Sequence, residues 1–409
     1  MTDATQKADI LIAGAGYVGL AAAVAIASAA PHLAITIVDA APDGVWKKDT
    51  RASAIATAAS RMLTSLGCWD ELLGEAQPIN DMIVTDSKTS DPVRPVFLTF
   101  GTPQAGEPFA HMVPNVALNA ALRAKADALG ITIRNGIGVS AFETGTASTT
   151  ATLTDGSAIT ARLLIAADGV RSRLRDQAGI KTVDIDYHQS GIVCTVAHER
   201  PHNGRAEEHF LPAGPFAILP LKGNRSSLVW TERTADADRL VNEDPLVFEA
   251  ELERRFGLHL GELHVEGKAR AWPLHLVLAR AFVAPRFALA GDAAHGIHPI
   301  AGQGLNLGFK DAAALAETIV EAARLGQDIG QLDVLQNYER WRRFDTVQMG
   351  ITTDVLNRLF SNDFTPLRAL RDIGLGLVDR TPALKNFFIG QAASREARGA
   401  PRLLRGEAI

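Results

Sequence analysis

Glycines at 14, 16 and 19, followed by an aspartate at 39, have the spacing of a phosphate cradle. The backbone must turn tightly at Gly14, approach a pyrophosphate at Gly16 and let a helix lie on a strand at Gly19, so none of the three tolerates a side chain. Asp39 stands 20 residues beyond the last glycine, within reach of ribose hydroxyls. The chemistry is binding of a dinucleotide. A second run, "GDAAHGIHPIAGQGLNLGFKDA" at 291–312, carries five glycines, two aspartates, two histidines and a proline directly after the apolar "RFALA". It is too long and too rich in glycine for a simple turn, which implies a ligand pressed against its backbone.

Other chemistries find little support. His295 and His298 have HxxH spacing without a nearby acidic or cysteine partner, so no metal is expected and His295 reads as a hydrogen-bonding residue of its loop. No GxSxG elbow accompanies the serines. The chain has only Cys68 and Cys194, which removes a redox disulfide and a structural zinc. A net charge of −5 over 409 residues offers no basic stripe for nucleic acid.

These residues need elements to hold them. Residues 10–30 are uncharged and about as long as a membrane span. The glycines at 14, 16 and 19 and the second apolar run "LAITIVD" make strand, turn, helix and strand the better reading. "GIGVSA" at 136–141 also spells Gly-x-Gly-x-x-Ala, but the alternating stretch after it predicts loop and strand, leaving one dinucleotide domain. Helical spacing is expected over 110–130, and a buried strand in "ARLLIAADG" runs out at Asp168-Gly169. "ALAGDAAH" likewise ends a strand at Gly291-Asp292, so three strand ends have one habit. In an open parallel sheet such ends share one edge, where ligands bind. From about 183 to 275, β-branched and aromatic runs broken by Pro and Gly predict an antiparallel sheet. Helices follow from 312 to about 360, and the tail to 409 reads as helical and basic.

The expected fold class is α/β: a Rossmann-like domain at 1–75, 105–182 and 276–340, an inserted antiparallel β-rich substrate domain at 76–104 and 183–275, and a C-terminal helical region at 341–409. Nearly the whole chain resembles the class A flavoprotein monooxygenases, aromatic hydroxylases with a para-hydroxybenzoate-hydroxylase-like fold. The resemblance implies FAD as cofactor, NAD(P)H or another reductant as electron donor and O2 as co-substrate. It implies an FAD pyrophosphate site at Gly14, Gly16 and Gly19, with Asp39 at the ribose, a second fingerprint at Asp168-Gly169 and a third at Gly291-Asp292, with Asp292 on the ribityl chain. Arg51 would pack near flavin and pyrophosphate, and the run from Pro299 through Gly302, Gln303, Gly304 and Asn306 would wrap the isoalloxazine ring. Asn115 stands where the family often has arginine. No protein acid or base is implied, because the cofactor carries the chemistry.

"HPIAGQGLNLGFKDAAALAE", "YHQSGIVCTVAHERPH" and "FLPAGPFAILPL" are similar to the ubiquinone-biosynthesis hydroxylases, which implies a polyprenylated phenol as substrate. Phe210, Phe216, Trp230 and Pro299 are the expected substrate-pocket residues, with sheet core as the other reading of the three aromatics. A prenyl-lipid reductase or dehydrogenase, or a flavoprotein subunit without turnover in a biosynthetic complex, remain as alternatives. From Val355 to Ile409, nine Arg and Lys against five acids lie among "VLNRLF", "IGLGLV" and "LKNFFIG". That composition suits an amphipathic surface on anionic lipid. The expected partners are thus the phenol, a membrane surface and other ubiquinone-biosynthesis proteins, and the expected location is the cytoplasm with peripheral contact at the inner membrane face.

Overall fold

A computed structural model describes residues 6–87, 94, 96–100, 108–360 and 399–409. The strand Gln6–Ala13, entirely apolar and buried on both faces over Ile10–Ala13, pairs in parallel with Ile35–Asp39 on one side and Ala158–Ala166 on the other. Thr132–Asn135 extends this sheet beyond Ile35–Asp39, and Phe287–Leu289 extends it beyond Ala158–Ala166, both in parallel. Register decides what the sheet can hold. Ala13 faces Ala166 and Ala166 faces Leu289, so Gly14, Ala167 and Ala290 leave three adjacent strands at one level. The helices Tyr17–Ala29 and Gln303–Arg324 pack together over this sheet, with Leu20, Val24, Ile26, Phe309, Leu315 and Ile319 fully buried.

The second sheet runs in the order His295–Gly296, Leu263–Ala279, Thr182–His198, Arg225–Arg233, Gly214–Leu221, Arg205–Leu211, Asp81–Asp86, Val96–Phe100. It is not purely antiparallel as expected: Arg205–Leu211 runs parallel to Asp81–Asp86, because the latter enters from a distant part of the chain and not through a hairpin. Two helices, Thr234–Val241 and Pro245–Phe256, also interrupt the β texture and cover one face, burying Ile192, Phe216, Leu228 and Trp230 against Leu240, Phe248 and Leu252. The run after Leu289 joins the two sheets, since His295–Gly296 pairs with Val277 and Leu278.

Two boundaries differ from the sequence reading. Ala110–Pro114 is a strand paired with Ala52–Ala56, and the helix begins only at Asn115, just past the proline. The helix Gln303–Arg324 begins inside the glycine-rich run, ahead of residue 312. The described C-terminal residues, with the short helix Arg402–Arg405, pack on the body: Leu403 and Leu404 are buried, Arg402 N–H donates to Glu317 Oε2 at 2.7 Å, and Trp341 Nε1 donates to Gly399 O at 2.8 Å. The apolar and basic runs "IGLGLV" and "LKNFFIG" lie outside the described residues. Among the described residues, no helix is long and apolar enough to cross a membrane.

Candidate functional site: a cofactor cleft between two sheets

A cleft of about 1160 Å³ opens where the three strand ends face the second sheet. Gly16, Arg51, Gly169, Asp292, Pro299, Gly302, Gln303, Gly304 and Asn306 line it. Gly14, Gly19, Asp39, Asp168 and Gly291 do not, and their positions show what each does for the protein. A Cβ at Gly14 would lie 2.2 Å from Ala167 O, and one at Gly19 would lie 2.1 Å from Gly14 O. Those two glycines let strand, strand end and helix touch. A Cβ at Gly16 or Gly304 would meet nothing within 4 Å, so at these positions the protein leaves room in the cleft.

Electrostatics point the same way. The helices starting at Tyr17, Asn115 and Gln303 all reach the cleft with their N-termini, none has a side-chain cap, and none has an acid in its first turn. The positive ends of three helices favour an anion there, as a pyrophosphate or the pyrimidine edge of a reduced flavin would supply. The residues therefore fit FAD. Asp39 bonds the N–H of Ala15 through Oδ2 (2.6 Å) and of Ala41 through Oδ1 (2.7 Å), which fixes the glycine turn; each oxygen keeps a lone pair.

Asp49, which the sequence did not single out, is the hub beside the first motif. Its carboxylate accepts from Tyr17 Oη (2.9 Å), Arg51 Nε and Nη2 (2.8 and 2.7 Å) and Asn115 Nδ2 (3.1 Å). Burial alone would raise this carboxyl, but the hydrogen bonds and charge of Arg51 outweigh it and hold it well below the usual range. Asn115 thus serves Asp49 and Ser53, whose hydroxyl donates to it at 2.7 Å. Arg51 also lies 5.5 Å from the centre of the Trp272 ring. Asp292 is reached by solvent through the cleft yet is surrounded by protein, and that desolvation raises its carboxyl against the opposing charges of His295 and Arg51. Asp168 is raised in the same way, opposed by the Ser172 hydroxyl.

Asn306 holds the loop as well as lining the cleft. Its Nδ2 donates to Ala54 O (2.8 Å) and Gly302 O (3.1 Å), and its Oδ1 accepts from Ala56 N (2.8 Å), so it pairs with the strand Ala52–Ala56 much as another strand would. His295 does hydrogen-bond, through Nε2 to Asp311 Oδ2 at 2.5 Å. His298 is buried edge-on to Tyr187, its ring nitrogens have no partner, and burial lowers it to about 4. Among the described residues no cluster of His, Cys, Asp and Glu has metal-binding geometry.

The aromatic pocket assignment needs correcting. Phe216 and Trp230 lie in the core under the two covering helices, and Phe210 packs with Val84, Leu98 and Leu356; none lines the cleft. Strand alternation is the reason: on Gly214–Leu221 and Arg225–Arg233 the cleft receives Ala217, Leu219, Ser227 and Val229, small or aliphatic residues that leave space, while the large rings fill the opposite face. Pro299 alone of the four lines the cleft.

Glu208 is the residue the sequence missed on that wall. It lines the cleft, is only 3 % exposed, and its Oε2 has no hydrogen-bond partner. Burial pushes its carboxyl up from 4.5 to about 8. Between those values the folded chain holds a proton that the unfolded chain releases, so stability falls as pH rises from about 4.5 to about 8. At 1.36 kcal/mol per unit the loss has a ceiling of about 5 kcal/mol. Glu208→Gln should therefore match the wild type at pH 5 and unfold at a higher denaturant midpoint at pH 8.5. Equal midpoints at both values would show that the carboxyl is not so buried.

The FAD binding domain family matches residues 7–348. The chain is 44% identical to a ubiquinone hydroxylase, UbiL, of Rhodospirillum rubrum, over 98% of this chain and 94% of that protein. It is 33% identical to the 3-demethoxyubiquinol 3-hydroxylase of Escherichia coli, over 93% and 97%. The crystal structure of the p-nitrophenol 4-monooxygenase PnpA from Pseudomonas putida superposes with a TM-score of 0.78 at 18% identity, covering 96% of this chain and all of that one, which establishes the fold. Motif geometry, cleft and kinship agree: the chain belongs to the FAD-dependent monooxygenases of the FAD binding domain family.

Proposed function

We propose that this monooxygenase hydroxylates the aromatic ring of a polyprenylated phenol in ubiquinone biosynthesis. The observation that carries the reading is the cleft itself, with a cofactor cradle on one side and a mainly apolar sheet face on the other. In this proposal segments 1–75, 105–182 and 276–340 hold FAD, segments 76–104 and 183–275 form the substrate wall, and 341–409 is the C-terminal region. The turn Gly14–Gly19 receives the pyrophosphate, Asp39 borders the ribose, and Gly169 and Asp292 take the middle of the cofactor, backed by Asp168 and Gly291, with Asp292 on the ribityl hydroxyls. Arg51 borders flavin and pyrophosphate, and Pro299, Gly302, Gln303, Gly304 and Asn306 carry the flavin ring. Bound FAD, reduced by NAD(P)H, would activate O2, one atom of which would enter the ring while the other leaves as water. The chain's own part is to orient the ring and exclude water.

The names of the relatives support the substrate class, and the small residues of the wall suit a ring with a long apolar tail. A membrane surface, or other proteins of the pathway, would deliver such a lipid. The basic and apolar residues of 361–398 are the basis for the membrane, and sedimentation with anionic vesicles that salt abolishes is its expected sign. The main test uses a strain lacking the gene. A prenylated phenol short of one ring hydroxyl should accumulate while ubiquinone falls, and the purified holoenzyme should consume O2 and NAD(P)H as it converts that phenol. Reductant oxidation with a saturated prenyl product and no O2 uptake would point to a reductase instead.

A further inference from the structure

We propose that Glu208 is the polar anchor of the substrate, hydrogen-bonding the ring hydroxyl of the phenol within an otherwise mainly apolar wall. This rests on the function proposed above and adds a specificity-determining residue to it. On the strand Arg205–Leu211, Ala206 and Glu208 face the cleft, while Glu207 is tied to His209 and His259 on the other face. Glu208 pairs in register with Ala217 on one side and Val84 on the other, and Met82, Val193, Leu219 and Val229 complete the apolar surroundings. Ser227 is the other polar side chain of this patch.

A carboxyl placed in such a wall loses its hydration and gains no bond within the protein, which is costly unless something else bonds it. A prenylated phenol has the matching pattern, one hydroxyl on an apolar body. Because burial keeps the carboxyl protonated near neutral pH, it can both donate to and accept from that hydroxyl. A site built around one buried polar group discriminates strongly against a ligand that cannot satisfy it.

The test compares 2-geranylphenol with its methyl ether, each titrated into the oxidised holoenzyme without reductant and followed by the change in flavin absorbance. Wild type should bind the phenol about tenfold more tightly than the ether. In Glu208→Leu the preference should vanish through weaker phenol binding, with ether affinity and FAD content unchanged. Glu208→Gln, which keeps a donor and an acceptor, should restore most of it. Should the leucine variant fail to hold FAD, Glu208→Met carries the same expectation. A leucine or methionine variant that still prefers the phenol overturns the anchor, as does a wild type that binds both alike. A wild type that binds neither and hydroxylates no prenylated phenol removes the proposed function itself.

Discussion

A Gly16→Val chain is expected to fold and purify colourless, whereas Gly19→Val yields no stably folded protein. The two positions belong to one motif, three residues apart, and sequence spacing treats them alike. The structure does not. At Gly16 an added Cβ meets no protein atom within 4 Å, and the extended backbone there, at φ −74° and ψ 177°, accepts any residue. The cost to the protein is the weaker start of one helix, about 1 kcal/mol. The cost to the cofactor is much larger, because two methyl groups would occupy the place where the pyrophosphate approaches the backbone N–H groups. At Gly19 the Cβ would sit 2.1 Å from Gly14 O, a contact that only separation of helix from strand relieves. That separation opens a core in which Ile10, Leu11, Ile12 and Leu20 are wholly buried, and its cost belongs with the largest single-substitution effects, above about 4 kcal/mol. Bound FAD per chain, read from absorbance, and the unfolding midpoint separate the two outcomes. A yellow Gly16→Val protein with full flavin would move the pyrophosphate elsewhere.

The contrast shows how far spacing carries. Glycines before a helix, an acid 20 residues on, and apolar runs ending in Asp-Gly or Gly-Asp are local features, and local features disclosed the parallel sheet and the strand ends along its edge. What failed were questions of facing. "AEEHF" gives no internal sign of which glutamate is turned to the cleft, because an alternating strand needs its partners to define inside and outside. Once Ala206 is placed on the cleft side, Glu208 follows and Glu207 is excluded. The same missing parity made Phe216 and Trp230 look like pocket walls. A pocket requires absent volume, so its lining residues are the small ones, and sequence reading is drawn to the large ones. Pro114 was the available signal for the misplaced helix start, since a residue before proline avoids helical geometry and a helix beginning just past it satisfies both.

Asp311→Ala should be a strongly damaging change outside the cleft, lowering the free energy of unfolding by about 3–5 kcal/mol. Asp311 sits on the inner face of the helix Gln303–Arg324, fully buried, where a sequence reader sees only an acid in a helix. Its carboxylate accepts from Gly291 N at 2.9 Å, His295 Nε2 at 2.5 Å and Arg342 Nε at 2.9 Å. Burial alone would raise it, but His295 and Arg342 outweigh that and hold it below its usual value. Alanine would leave the Arg342 guanidinium, itself 2 % exposed, without its buried counter-charge, and would free the turn from which Asp292 enters the cleft. Stability and flavin retention should therefore fall together. Arg342→Met alone should also destabilise by stranding the carboxylate, and the pair Asp311→Leu with Arg342→Met should recover part of the stability, because the carboxylate and the guanidinium are removed together while His295 and Gly291 N–H still lose their acceptor. The pair should not recover tight FAD binding, since leucine cannot accept from Gly291 N–H. Denaturant midpoints and flavin content of the three variants decide the matter: single variants within about 1 kcal/mol of wild type would mean that Asp311 does not hold this corner together, and a stable double variant with full FAD would mean that the Gly291 turn keeps its shape without it.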